Sequence, residues 1–128
     1  MLGQREPEVY GSDSLDDIIK WTEEKLTSKA KLKWFQSNLE GEIVSRIQMA
    51  LQENYDALII NPGGYAHTSV AIHDALKILK IPIIEVHLSQ VYRREEFRHT
   101  LLTAKAATAI MSGLGKQSYY AAISSLLD

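Results

Sequence analysis

The sequence contains no cysteine among its 128 residues, which excludes disulfide bonds, thiolate metal sites and a cysteine nucleophile. It also lacks any apolar run close to the ~20 residues that a membrane-spanning helix requires. The N-terminus has no apolar segment typical of a signal peptide. We therefore expect a cytoplasmic protein that does not act at a membrane.

The sequence has no large excess of positive or negative charge, because the formal net charge is −2. This balance gives no electrostatic basis for binding nucleic acid. The histidines, at positions 67, 73, 87 and 99, do not follow a metal-binding spacing such as HExxH. The glycine pair at 63–64 matches neither a dinucleotide fingerprint nor a P-loop. We expect no metal and no cofactor.

Apolar residues make up 45% of the chain and charged residues 23%, as in an ordinary globular protein. The length predicts a single domain over residues 1–128. Short apolar runs of strand length alternate with segments of helical periodicity, and the predicted strands cover residues 31–36, 57–60, 81–86 and 106–111. This alternation predicts an α/β fold, with a parallel, doubly wound sheet and helices on both faces.

Helical spacing also predicts which side chains face the core. The predicted inward positions of the four helices are, in chain order, Leu15, Ile18, Ile19, Thr22 and Leu26; Leu39, Ile43, Ile47, Ala50 and Leu51; Val70, Ile72, Ala75, Leu76 and Leu79; and Tyr119, Ala122, Ile123 and Leu126. Asp13 or Ser14 is a candidate N-cap for the first helix, and Thr68 and Ser69 are candidates for the third.

The loop after residues 57–60 is the first candidate for a ligand site. The apolar run ends at Asn61-Pro-Gly-Gly, and His67 precedes the next helix. Open α/β sheets bind ligands at the carboxyl ends of their strands, which is where Asn61 and His67 are expected. An alternative role for His67 is simply to cap the helix that follows it.

Glu85 and His87 lie two residues apart on the next predicted strand, so their side chains point to the same face. A carboxylate in that position can orient and polarise an imidazole that acts as an acid. Ser89 follows directly and can hydrogen-bond a small polar ligand. Arg94 and Arg98 lie downstream, although they are also compatible with an ordinary charged helix face.

Near the N-terminus, Arg5 and Tyr10 share a loop rich in turn-forming residues. A cation within about 4–6 Å of a phenol favours the phenolate and lowers its pKa from about 10. Tyr10 is therefore a candidate base. Two structural alternatives stay open: Tyr10 anchors the loop, and Arg5 belongs to a solvated mixture of charges.

Taken together, these segments resemble the type II 3-dehydroquinate dehydratases. The resemblance covers nearly the whole chain and rests on Leu-Gly-Gln-Arg-Glu-Pro-Glu-Val-Tyr-Gly (2–11), Phe-Gln-Ser-Asn-Leu-Glu-Gly-Glu (35–42), Ile-Asn-Pro-Gly-Gly-Tyr-Ala-His-Thr-Ser (60–69), Glu-Val-His-Leu-Ser (85–89) and Arg-Glu-Glu-Phe-Arg (94–98). It implies a flavodoxin-like fold, trimers assembled into a dodecamer, and dehydration of 3-dehydroquinate to 3-dehydroshikimate without metal or cofactor.

The resemblance also implies a role for individual residues. Tyr10 resembles the base that removes the C2 proton, and Arg5 the cation that keeps it ionised. His87, paired with Glu85, would protonate the departing C1 hydroxyl. The residues that would hold the substrate are Asn61, His67, Leu88 through its backbone, Ser89 and Arg98, with Asp74 reaching the site of a neighbouring subunit.

The sequence departs from the family pattern in several places, including His73 for a usual Arg and Gln90-Val-Tyr92 for a usual Asn-Val-His. The family's first strand, with its Gly-Pro-Asn-Leu-Asn turn, has no counterpart before Met1, and residues 99–107 differ from the usual Ser-Tyr-x-Ser-Pro pattern. We therefore expect that Met1 is an internal methionine of a longer product. The alternatives are a truncated, inactive relative acting as a binding module and a flavin or nucleotide binder of the same fold.

Overall fold

The computed structural model describes residues 14–127, and in that range the chain forms a three-stranded parallel sheet. The strands are β1 (Leu58–Ile60), β2 (Ile83–His87) and β3 (Ala109–Ser112), in the order β1-β2-β3. Ile59 pairs with Ile84, and Ile84 pairs with Ala109. Three of the predicted strands are therefore confirmed, although each begins later than the sequence predicted.

Within residues 14–127, four α-helices cover the two faces of this sheet: α1 (Leu15–Leu26), α2 (Glu40–Gln52), α3 (Val70–Ile78) and α4 (Ser118–Ser124). Alternate side chains of β2 divide the core. Ile84 and Val86 pack with α1 and α4, whereas Ile83 packs with α2 and α3. The predicted doubly wound α/β architecture is confirmed.

The first helix forms where the sequence predicts it because Ser14 and Asp17 cap its N-terminus reciprocally. Ser14 Oγ accepts a hydrogen bond from the Asp17 amide at 3.1 Å, and Asp17 Oδ2 accepts one from the Ser14 amide at 3.2 Å. This reciprocal capping box satisfies two backbone donors that the helix leaves open. Ile18, Thr22 and Leu26, four residues apart, are then buried on one side of α1.

The third helix is capped by Ser69, whose hydroxyl accepts from the Ile72 amide at 3.0 Å. Ile72, Ala75 and Leu76 are buried as predicted. Val70 is 59% exposed, so its predicted inward position is wrong. At 100° per residue, Val70 lies on the side of the helix opposite to Ile72, Ala75 and Leu76.

Three other predicted core positions are also exposed. Leu39 precedes α2 as its N-cap, and Leu126 follows the end of α4. Both therefore lie outside the periodic part of their helices. Leu51 lies in the last turn of α2 and is half exposed.

The strand predicted for residues 31–36 is wrong. A strand needs backbone partners, and in the described residues this segment pairs with none of β1, β2 and β3. Its aromatic side chain anchors it instead. Trp34 packs edge-on against Tyr119 at 5.6 Å and donates from Nε1 to Glu23 at 2.8 Å.

We find no helix in residues 14–127 that is long and apolar enough to cross a membrane.

The two faces of α3 give a direct test of this core. Leu76 is fully buried and Ile78 is 52% exposed on the same helix. Leu76→Ala should lower the free energy of unfolding by about 2–5 kcal/mol, because it removes buried methyl groups and leaves a cavity. Ile78→Ala, the matched control, should change it by no more than about 0.5 kcal/mol. Urea unfolding measures both, and equal losses would contradict the packing described here.

Candidate active site

A small cleft lies where β1 and β2 end, at the carboxyl edge of the sheet. It brings together six residues that the sequence singled out: Asn61, His67, His87, Leu88, Ser89 and Arg98. These residues come from three separate loops. In the described part of the chain, the segments that follow β1 and β2 therefore meet at this edge of the sheet.

His87 is the last residue of β2 and is held by the carboxylate of Glu85. Its Nε2 donates to Glu85 Oε2 at 2.8 Å, and the two side chains share one face of the strand, as predicted. Glu85 is fully buried and His87 is 6% exposed. The ring therefore has one nitrogen committed to Glu85, while its Nδ1 makes no hydrogen bond to any residue in 14–127.

The other oxygen of Glu85 is bound by a residue that sequence reasoning missed. Thr103 lies at the start of a short 3₁₀ helix (Thr103–Ala106), and its hydroxyl donates to Glu85 Oε1. Both side chains are fully buried. No local sequence signal links the two, because they are 18 residues apart and on different elements.

Asn61 is fixed at the end of β1 by two hydrogen bonds. Its Oδ1 accepts from the Gly63 amide at 3.1 Å, and its Nδ2 donates to the Tyr119 hydroxyl at 3.1 Å. Gly63 has φ of +59°, a conformation that favours glycine. Tyr119 was predicted only as a core residue of the last helix, and the sequence carried no sign of its bond to Asn61.

Two further side chains on the wall of the cleft, those of His67 and Arg98, are held by hydrogen bonds. His67 Nδ1 donates to the Thr100 carbonyl at 2.9 Å, which fixes the ring and leaves Nε2 for a ligand. Arg98 donates from Nε to Glu95 Oε2 at 2.7 Å. A backbone hydrogen bond and the Arg98 guanidinium lower the pKa of Glu95, so that carboxylate holds the arginine as a charged partner.

The loop after β2 is shaped by contacts with β3 and the segment beyond it. Ser112 donates to the Ser89 carbonyl at 3.0 Å and accepts from the Val91 amide at 3.2 Å. The Leu88 carbonyl accepts from the Gly115 amide at 2.8 Å. Leu88 and Ser89 therefore keep a defined backbone position on the wall of the cleft.

Among the predicted site residues in the described part of the chain, Asp74 does not line this cleft. Asp74 lies on α3 with a 69% exposed side chain, bound to His73 Nδ1 at 2.9 Å. It contributes nothing to the cleft of its own chain. Tyr10 and Arg5 lie outside the described residues.

Arg94 also lines the cleft, although the sequence suggested it only as a neighbour of the site. Its side chain is 10% exposed, and its Nε lies 4.0 Å from Glu95 Oε2. With Arg98 it gives the cleft a positive wall.

A larger, more open cleft lies beside β3, with Tyr92, His99, Leu101 and Ile110 on its walls. It lacks the convergence of hydrogen-bonding groups that defines the first cleft, so we place the site in the smaller one. In residues 14–127 no group of three His, Asp or Glu side chains is arranged to hold a metal ion.

Comparison with known proteins gives the family. The sequence profile of Dehydroquinase class II matches residues 1–127. The chain belongs to the class II dehydroquinase family. The 3-dehydroquinate dehydratase of Herminiimonas arsenicoxydans is 50% identical over 125 residues, which are 97% of this chain and 86% of that protein. The protein of the same name from Janthinobacterium sp. (strain Marseille) is 47% identical over the same shares.

Solved structures of class II dehydroquinases agree with the fold. The type II dehydroquinase from Butyrivibrio crossotus DSM 2876 superposes with a TM-score of 0.94 at 40% identity, over 98% of this chain and 88% of that one. The enzyme from Propionibacterium acnes gives a TM-score of 0.92 at 35% identity, over 98% and 86%. The expected family and α/β fold class are therefore both confirmed.

The Tyr119–Asn61 contact predicts a pH dependence. Burial raises the pKa of Tyr119 above its ordinary value of 10.0, and the hydrogen bond from Asn61 partly offsets this. The stability that the neutral phenol contributes is fully present below pH 10 and is lost as the pH rises through the folded-state pKa.

Tyr119→Phe should therefore be less stable than the wild type by about 1 kcal/mol near pH 8, because Asn61 loses its partner. Above pH 10 the difference should shrink, since only the wild type gains an ionised phenol on unfolding. Urea unfolding of both proteins across this range measures the difference. A difference that stays constant would contradict the assignment.

Proposed function

We propose that this class II dehydroquinase removes water from 3-dehydroquinate to give 3-dehydroshikimate, a hydro-lyase reaction of the shikimate pathway. The observation that carries the proposal is the buried Glu85–His87 pair at the floor of a cleft with a positive wall. The relatives are named for this activity. The comparisons give no support to an inactive binding module.

The reaction needs a base and an acid at different points of the substrate. Removal of the C2 proton, which is adjacent to the ketone, leaves an enolate. The enolate electrons then return, expel the C1 hydroxyl and form the C1–C2 double bond, while an acid protonates the leaving oxygen. Positioned acid–base groups typically contribute 10²–10⁴-fold each.

His87 is the acid in this proposal. Glu85 binds Nε2, which leaves Nδ1 as the nitrogen that faces the cleft and delivers the proton to the departing hydroxyl. The carboxylate also holds the ring in one orientation. Because both side chains are nearly inaccessible to solvent, little water competes for the proton at this position.

The other residues of the cleft hold the substrate. Arg98 is suited to bind its carboxylate, since a guanidinium recognises that group with paired hydrogen bonds. His67, Asn61 and Ser89 offer ring nitrogen, amide and hydroxyl groups to the ring hydroxyls, and the Leu88 backbone completes this wall.

Tyr10 is the base in this proposal, and Arg5 is the cation that favours its ionised form. Both assignments rest on the resemblance of residues 2–11 to the family's catalytic loop. The chemistry is consistent with a guanidinium close to a phenol, which stabilises the phenolate.

Asp74 supports a proposal about assembly. Its carboxylate is largely exposed on α3 and lies outside the cleft of its own chain. We place it in the site of a neighbouring copy, in a trimer that assembles further into a dodecamer, as the family resemblance implies.

The base is tested by Tyr10→Phe in the full chain. Removing the phenolate should lower kcat by about 10²-fold or more, because no other group takes the C2 proton. Tyr120→Phe is the matched control: Tyr120 packs edge-on against Trp21 at 5.8 Å, away from the cleft, and its variant should turn over like the wild type. Ultraviolet absorbance of the enone product gives both rates. Wild-type turnover by Tyr10→Phe would overturn this part of the proposal.

A further inference from the structure

Glu85 is a fully buried carboxylate, and such a group needs a partner for each of its oxygens. His87 Nε2 binds Oε2 at 2.8 Å, and the Thr103 hydroxyl binds Oε1. Hydrogen bonds link the three side chains in the order Thr103–Glu85–His87, and His87 lines the cleft. The proposed mechanism uses Glu85 and His87 and gives Thr103 no role.

The segment that carries Thr103 is fixed at both ends. The Leu102 amide donates to the Ala66 carbonyl at 2.7 Å, beside the loop of Asn61 and His67. At the other end, the Thr108 amide donates to the Ile83 carbonyl at 2.7 Å, and Thr108 Oγ1 accepts from the Ile83 amide at 3.0 Å. The Thr103 hydroxyl therefore meets Glu85 from a backbone that has little freedom to move.

We propose that Thr103 is a positioning residue for the dehydration, which it serves by fixing the Glu85 carboxylate so that Oε2 faces His87. When two donors from different elements bind a carboxylate, its rotation about the terminal C–C bond is fixed in one orientation. With only one donor it can turn and present either oxygen, or neither, to the imidazole. The inference rests on the proposed function for its effect on turnover, but not for its effect on the His87 ring.

The contact could instead be no more than a way to satisfy a buried hydroxyl. The chain contains a suitable comparison for that alternative. Thr22 is also fully buried, and its hydroxyl donates to the Ile18 carbonyl at 2.7 Å within α1, outside the cleft. Thr22→Val and Thr103→Val make the same chemical change at equal burial, at sites whose hydroxyls bind different partners.

The experiment compares Thr103→Val, Thr103→Ser and Thr22→Val with the wild type in the full chain. Thr103→Val should lower kcat by about 10–100-fold and leave KM within about twofold, since the acid is misplaced while the substrate-binding groups stay in position. Thr103→Ser restores a donor at the same point, so it should recover most of the turnover. Thr22→Val should keep the wild-type kcat.

A second measurement reads the ring itself. Nitrogen spectra of the protein labelled with ¹⁵N-histidine report which ring nitrogen carries a proton, and the His87 signals are identified by their loss in His87→Asn. Thr103→Val should shift the Nε2 signal of His87, Thr103→Ser should return it towards the wild-type position, and Thr22→Val should leave it unchanged. This readout does not depend on turnover.

The two measurements separate the possible failures. A wild-type protein without turnover would refute the proposed function, and the His87 spectra would then decide the role of Thr103 alone. In an active wild type, the inference is overturned if Thr103→Val leaves either kcat or the His87 signals unchanged. It is also overturned if Thr22→Val lowers kcat as much as Thr103→Val does.

Discussion

The hydrogen bond between Glu85 and His87 is the interaction on which the site depends. It joins two side chains of one strand, at i and i+2, so the pleat of β2 alone brings them to the same face. Burial makes this arrangement demanding, because a carboxylate without partners in the interior is costly. The surrounding chain meets that demand with a second donor from Thr103, on a segment fixed to both β2 and the neighbouring loop.

The fold places this pair where a ligand can reach it. β2 is the middle strand of the described sheet, flanked by β1 and β3. The loop of Asn61 and His67 therefore lies on one side of its carboxyl end. On the other side, Ser112 at the end of β3 donates a hydrogen bond to the Ser89 carbonyl. The helices on the two faces supply the apolar core that keeps β2 in position, and α4 also contributes Tyr119, which orients Asn61.

The sequence predicted those parts of this arrangement that depend on residues close together in the chain. The Ser14 and Ser69 caps, the alternation of strands and helices, and the Glu85–His87 spacing all follow from residues a few positions apart. Thr103 and Tyr119 were missed as site residues because their partners are 18 and 58 residues away. The strand predicted at residues 31–36 was wrong because an apolar, aromatic run does not reveal whether a neighbouring strand is there to pair with it. Val70 was wrongly predicted to face the core because it is apolar, although its position around α3 places it opposite the buried side chains.

The role that we propose for Glu85 is to act, through His87, on protonation of the departing C1 hydroxyl and not on removal of the C2 proton. Its direct test measures two rates in Glu85→Gln: dehydration, and exchange of the substrate's C2 hydrogen with deuterated solvent. The amide keeps the shape of the side chain but can donate to the ring and reverse its proton pattern. We expect dehydration to fall by about 10²-fold or more, while C2 exchange continues and exceeds dehydration. Loss of both rates together, or wild-type dehydration, would contradict it.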